Sequence, residues 1–235
     1  MELINKKNNQ ITFKVELGES LANAVRRYLN EIEISAIDEV EIIQNGSPLY
    51  DETIAHRMGL IPLKSPVKKG AKINLKTKKE GFVYSEDIKG DVKVVYDRIP
   101  IANISKNQEM EINATIRTGK GSEHSKFSPG LMFYRNVPEI RIDKDCPKEV
   151  VDVCPKKILR IENGKVVAKN VEKCDMCNAC IEYCRKKGKI GLEIKEKNEL
   201  FVTVESFGQL EIKDMLKKSV DALKKDIAEV SKKIK

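Results

Sequence analysis

The stretch "GESLANAVRRYLNEIEISAIDEVEI" (18–42) runs a helical pattern directly into a strand pattern, and its reading decides the fold class. Over "ESLANAVRRYLNEI", Leu21, Val25, Tyr28, Leu29 and Ile32 recur at helical spacing, with Ser20 as the expected N-cap. "AIDEVEIIQN" follows as a strand closed by the turn residues "NGSP". Upstream, "NQITFKVEL" (9–17) alternates Ile11, Phe13, Val15 and Leu17, a half-buried strand broken by Gly18. Strand, helix and strand in succession predict an α+β protein.

Residues 50–143 change character. Short β-like runs such as "KVVYDRI" and "MEINATIRT" are separated by Gly, Pro and Asn. Between them "DETIAHRMGLIPLKSP" reads as a short helix stopped by Gly59 and followed by Pro62, giving a mostly β insert. After Gly191 the strand pattern returns in "LFVTVESFG". The chain then ends in a helical seam of Ile212, Leu216, Val220, Leu223, Ile227, Val230 and Ile234 on an otherwise charged helix. Such a thin stripe can lie on its own sheet, against a partner chain, or both.

All six cysteines lie within 144–190. "KCDMCNACIEYCRKKG" (173–188) spaces Cys174, Cys177, Cys180 and Cys184 as in a ferredoxin-type loop, where the first three thiolates grip one iron–sulfur cube. The remote fourth ligand in such loops comes from a Cys-Pro, and Cys154-Pro155 supplies one twenty residues upstream. The intervening "KKILRIENGKVVAKNVEK" predicts a hairpin turning at Asn163-Gly164. One 4Fe–4S cluster is therefore expected on Cys154, Cys174, Cys177 and Cys180. A second lacks its ligands, because Lys144, Pro147 and Val150 stand where cysteines would be needed. Cys146 and Cys184 are left as free thiols or, if the fold brings them together, a pair. Zinc is the rival metal, but it favours two separated pairs over a close trio with one remote thiol.

Composition bounds the function. At 235 residues with 40% hydrophobic and 34% charged side chains, the chain carries real cores and is not disordered. No apolar run approaches the ~18 residues of a membrane span, and the start has no apolar signal segment. A cytoplasmic protein with reduced thiols is expected. The net charge of +8 is mostly scattered Lys, denser over 51–80 and 213–235, with few aromatics to stack bases.

Three segments, "GESLANAVRRYLNEIEISAIDEVEI" (18–42), "YDETIAHRMGLIPLK" (50–64) and "GKGSEHSKFSPGLMFYRNVPEI" (119–140), together resemble the D-type subunit of archaeal DNA-directed RNA polymerase. That family is similar to the bacterial polymerase alpha N-terminal domain and the eukaryotic third-largest subunit. The resemblance implies a discontinuous alpha-type dimerisation domain (1–49 and 191–235), a mostly β insert domain (50–143) and an inserted ferredoxin-like iron–sulfur domain (144–190). It further implies that the first and last helices pack against subunit L, through Leu21, Val25, Tyr28, Leu29, Leu216, Leu223, Ile227 and Val230. Arg26 and Arg27 read as a solvated pair, or, by the same resemblance, one or both contact a large catalytic subunit. The expected role is a non-catalytic scaffold of DNA-directed RNA polymerase, meeting DNA only through the assembled enzyme, with a mainly structural cluster.

Two other functions compete. A redox protein would use the cluster for electron transfer; a zinc-stabilised module would bind nucleic acid directly. No catalytic constellation is present. His56 has no partnering nucleophile or carboxylate and reads as a helix-packing or hydrogen-bonding residue. His124 sits in a loop that the resemblance assigns to interface contact. "GKGS" lacks the spacing of a phosphate-binding loop.

Overall fold

The computed structural model describes residues 1–64, 67–68 and 70–234; Ser65, Pro66, Lys69 and Lys235, which fall in or beside predicted segments, lie outside them. The chain opens with β1 (Glu2–Lys7) and β2 (Gln10–Val15), then α1 (Glu19–Tyr28). Gly18 supplies the carbonyl that accepts from Leu21 and Ala22 N–H, so the helix starts there and Ser20 falls inside the first turn rather than capping it. A single 3-10 turn (Leu29–Glu31) ends the helical run before β3 (Glu33–Asn45). Next come α2 (Asp51–Gly59), β4 (Lys72–Thr77), β5 (Gly81–Tyr84), β6 (Ile88–Gly90), β7 (Pro100–Ile104), β8 (Met110–Lys120) and β9 (Gly130–Ile142). The remainder is α3 (Val150–Val153), β10 (Leu159–Glu162), β11 (Lys165–Ala168), α4 (Ala179–Lys186), β12 (Leu192–Ser206) and α5 (Ile212–Lys233). The chain is thus mixed α/β with strands predominating. No helix among the described residues is long and apolar enough to cross a membrane.

Two segments depart from the sequence pattern. β1 carries no strand signal, since "ELINKK" is polar and all six residues are exposed; it exists through its pairing with β2. "KVVYDRI" (93–99) forms one isolated bridge, Leu63 to Val94, instead of a strand. Ser85 intercepts its backbone: Ser85 Oγ donates to Tyr96 O (2.5 Å) and accepts from Ile99 N–H (3.1 Å). The apolar residues of this run pack inward regardless of ladder pairing.

The chain divides into two compact units. The larger comprises Lys6–Ile11, Asn23–Phe133 and Val204–Lys235. Its sheet has the order β3-β8-β4-β6, with β5-β7 as a separate ribbon. β3 and β8 run antiparallel, and two register shifts, after Ile37 and after Ile42, bend the pair. The inward faces of these strands and the Ile54–Met58 face of α2 bury an aliphatic core. Arg57 ties α2 to β7 by donating to Ile101 O (2.8 Å). In the loop after β8, Phe127 is fully buried over Gly119, where a Cβ would stand 2.7 Å from its ring. "GKGS" thus serves packing.

The smaller unit comprises Met1–Asn5, Thr12–Ala22 and Tyr134–Thr203. β1, β2, β12 and β9 are sheet neighbours in that order. Within the unit, Lys14 bridges Glu2 (2.9 Å) and Glu199 (3.7 Å), and Thr12 meets Thr203 across the ladder (3.0 Å). The predicted hairpin is present: Glu162 pairs with Lys165, and Asn163 and Gly164 both take positive φ (50° and 74°), as a two-residue type I′ turn needs.

Candidate functional site

Cys154 follows the single turn of α3, Cys174 follows a 3-10 turn at Val171–Lys173, and Cys180 lies in the first turn of α4. Between the last two, Met176 (φ 52°) and Asn178 (φ 62°) adopt the left-handed conformation. For a Met this is uncommon and persists only where surrounding structure holds it. The result is a loop curled around a narrow pocket lined by Cys154, Cys174, Cys177 and Cys180. The rest of the wall is largely aliphatic, with Ile140, Ile158, Leu159, Leu192 and Ile194.

Cys154, Cys174 and Cys180 are buried, and Cys177 is exposed. Burial pushes the Cys180 thiol up to about 11 and raises Cys174 as well. Backbone amides oppose this: Met176 N–H points at the Cys174 sulfur, and Ile181 and Cys180 N–H at the Cys180 sulfur. These amides soften the rise without reversing it. The four cysteines are candidate ligands by their placement around one pocket. Among the described residues, no three His, Cys, Asp or Glu side chains converge on one ion-sized point.

Sequence reasoning missed Arg135. From β9 its guanidinium donates to Cys174 O (2.8 Å) and to Glu172 O, and it stacks 5.2 Å over the Phe201 ring. It anchors the entrance of the cysteine loop by two main-chain carbonyls. No periodicity or spacing marks such a residue, because its partners are backbone atoms.

The second candidate is a helix surface in the larger unit. Val25 and Leu29 are buried. Ser219 Oγ donates to Val25 O (2.7 Å), and Tyr28 Oη donates to Asp226 Oδ2 (2.9 Å), so residues 25–29 and α5 are joined. On α5 only Met215 and Ser219 are buried; Leu216 and Leu223 are half-buried. Farther along, Ile227, Val230 and Ile234 are 59%, 56% and 80% exposed. The last three turns of the helix thus carry apolar side chains left exposed among the described residues. In the smaller unit, Leu21 is likewise exposed. Arg26 and Arg27 are exposed, and among the described residues Arg26 bonds to Asn23 of its own helix (2.9 Å). Met215 and Ser219 were not singled out from the sequence, since they flank the seam instead of forming it.

His56 is exposed on α2 rather than packed within it. His124 Nδ1 accepts from Lys126 N–H (3.2 Å), capping the turn before Phe127.

Comparisons with known proteins bear on both places. The RNA polymerase Rpb3/RpoA insert domain matches residues 25–132. A DNA-directed RNA polymerase subunit Rpo3 from Methanosphaera stadtmanae is 32% identical, covering 95% of this chain and 94% of its own length. The Archaeoglobus fulgidus Rpo3 is 31% identical over 99% and 96%, and that of Pyrococcus furiosus 32% over 92% and 89%.

Proposed function

Because the chain belongs to the archaeal Rpo3 (D-type) family of DNA-directed RNA polymerase subunits, we propose that it is a non-catalytic assembly subunit that acts through two separate devices. The first is the helix surface. α1 with α5 docks the small subunit L, and the pair forms the platform on which the large subunits assemble. The observation that carries this is α5 itself: its first half is anchored by Met215 and Ser219, while Ile227, Val230 and Ile234 stand uncovered. An apolar stripe on a charged helix that ignores its own core is made for another helix.

The second device is the ferredoxin-like module at 144–190. Cys154, Cys174, Cys177 and Cys180 would hold one 4Fe–4S cluster. When bound, the cluster cross-links four points of the chain and thereby fixes the module. Arg135 positions the loop, the amides of Met176 and Ile181 face the sulfurs, and the aliphatic wall keeps water out. Thiols spread around a pocket suit a cube, whereas a tetrahedral zinc site needs four sulfurs at ~2.3 Å from one point. The brace is preferred to an electron carrier because one cluster within so large a chain offers no relay.

The test is co-purification with subunit L of a chain carrying Leu216→Ser, Leu223→Ser and Ile227→Ser. Loss of the small subunit from a folded chain is expected. Undiminished co-purification would overturn the docking surface.

A further inference from the structure

A cavity of about 330 Å³ opens on the larger unit where five segments converge. Its walls come from the β1–β2 turn, the chain after α2, the 96–99 segment, the loop around Lys126 and the turn between β12 and α5. Hydrogen bonds hold these walls in place. Ser206 N–H donates to Asn9 O (2.8 Å), Phe207 N–H to Pro129 O (3.0 Å), and Asn9 Nδ2 to Tyr96 Oη (2.6 Å). Gly208 takes a positive φ (93°), and a Cβ there would stand 2.4 Å from Val95 Cγ1, so the turn lies directly against residues 95–96. This turn carries Gln209 into the cavity wall, where it is only 7% exposed. Gln209 Oε1 is the one buried side-chain polar atom among the described residues that has no hydrogen-bond partner. An unpaired buried acceptor is costly, and native folds rarely keep one without a use for it.

We propose that this cavity is a socket for an arginine side chain inserted by a partner chain. The chemistry of the wall selects that side chain. Glu205 is half-buried, accepts from Gln10 Nε2 (3.2 Å), and forms no salt bridge among the described residues. Lys126, the cation in the wall, is already committed to Asp38 (2.5 Å). The wall therefore offers a carboxylate and an amide oxygen that both lack a cationic donor. Leu60, Pro62, Ile99 and Phe207 supply an apolar side, along which an aliphatic stem lies while its charged head reaches the acceptors. A guanidinium presents five N–H donors in a planar fork, so one head serves a carboxylate and an amide oxygen together. Gln209 also borders a second cavity beside the start of α5, but Lys6, Glu211 and Lys213 give that one a net positive wall, which disfavours a cation. The inference goes beyond helix docking and the cluster. Only the source of the arginine, another subunit of the same enzyme, rests on the assembly reading.

The socket is tested in the isolated full chain with butylguanidinium, which is an arginine head on a short stem, followed by amide NMR. Shifts are expected at the Gln209 side-chain amide and at the backbone amides of 206–209. The dissociation constant should be on the order of 10 mM, the scale of so small a ligand. Butylurea, the neutral isostere, should bind about tenfold more weakly, because its hydrogen bonds carry no charge. Butylguanidinium should lose about the same factor on Glu205→Gln. Gln209→Leu should weaken binding as well. Glu205→Gln, at a partly exposed position, decides the matter if Gln209→Leu does not fold.

The partner is tested by coupling glycine ethyl ester to accessible carboxyls with a carbodiimide. Glu205 is expected to be labelled in the isolated chain and protected in the native polymerase. Equal labelling in the two would overturn the partner's arginine. Absence of shifts at 206–209, or equal binding of butylurea and butylguanidinium, would overturn the socket and leave Gln209 Oε1 to water. Tighter binding of butyrate would show that Gln209 presents its N–H to the cavity, and would overturn the socket too. The titration of the isolated chain needs no other subunit, so its failure would leave helix docking standing. Undiminished co-purification of subunit L with the Leu216, Leu223 and Ile227 variant would, conversely, leave the socket standing.

Discussion

The two units solve the problem of a stable interior in different ways. The main cluster in the larger unit gathers seventeen buried residues among those described, every one aliphatic or Met, and no cysteine. The core around residues 140–194 gathers ten, and five of them are Cys146, Cys154, Cys174, Cys180 and Cys184. A buried thiol behaves as a small hydrophobe and fills less volume than Leu or Ile. A segment of this size sits near the limit below which a core alone does not hold, and cross-links take over. The difference teaches that thiols fill half of the core of the cysteine region, which bonds to sulfur would hold on the function proposed above, whereas the larger unit relies on aliphatic area removed from water.

The sharpest way to break this comparison is to remove the bonds. A chain with Cys154→Ala and Cys180→Ala is expected to lose nearly all bound iron. Amide exchange in the Leu159–Ala168 hairpin should accelerate at least ~10³-fold, since structural metal binding is worth many kcal/mol to such modules. Exchange in β3 and β8 should stay as it was. A hairpin that keeps its protection without iron would show that the half-thiol core suffices by itself.

A second, smaller effect separates the chain's own core from the proposed docking surface. Ile227→Ser with Val230→Ser should leave the melting midpoint of the isolated chain within about 1 °C, because neither side chain is buried. Affinity for subunit L should fall by roughly two orders of magnitude or more, at about 1.5–3 kcal/mol for each aliphatic side chain no longer buried. Titration by calorimetry reads the second number, and a thermal scan the first. Equal losses in both would mean that the stripe belongs to the chain's own interior.

Much of this organisation is legible in the sequence because it rests on short-range rules. Asn163-Gly164 fixes its hairpin through backbone conformation, and the pattern from Leu21 to Ile32 requires a helix with one apolar side. The cysteine spacing likewise marks the four residues that line one pocket. What stays hidden depends on partners distant in sequence. Arg135 acts on the carbonyls of Glu172 and Cys174, β1 is a strand only because β2 lies beside it, and Ser85 diverts the backbone of 96–99.

Arg135 offers the next contrast. Arg135→Lys keeps the charge but cannot span two carbonyls with one planar group. Release of iron to a chelator should quicken several-fold in this variant and somewhat more in Arg135→Ala, with β3–β8 exchange unaltered. Absorbance of the iron–sulfur chromophore followed over time measures it. Matching rates in the wild type and both variants would remove Arg135 from any role in holding the loop.

The smallest expected effect tests how little the larger unit depends on charge. Asp38 on β3 accepts from Lys126 Nζ (2.5 Å) and from Arg117 Nε (2.9 Å), and the same two cations flank the Phe127 ring. The hydrogen bond from Lys126, supported by Arg117, holds the Asp38 carboxyl below its ordinary value. A carboxylate depressed in the folded state adds stability that is complete above the unfolded value near pH 3.9, and that fades as pH falls through the lower folded value. Wild type should therefore exceed Asp38→Asn by about 1 kcal/mol at neutral pH, a few degrees in the melting midpoint. The two curves should draw together below about pH 4. The Arg117 partner is half exposed, so salt should shrink the gap too. A gap that does not narrow as the pH falls through the lowered folded value would assign the loss to packing around Phe127 rather than to the ion pairs, and would make that loop a second place where the aliphatic core is not sufficient alone.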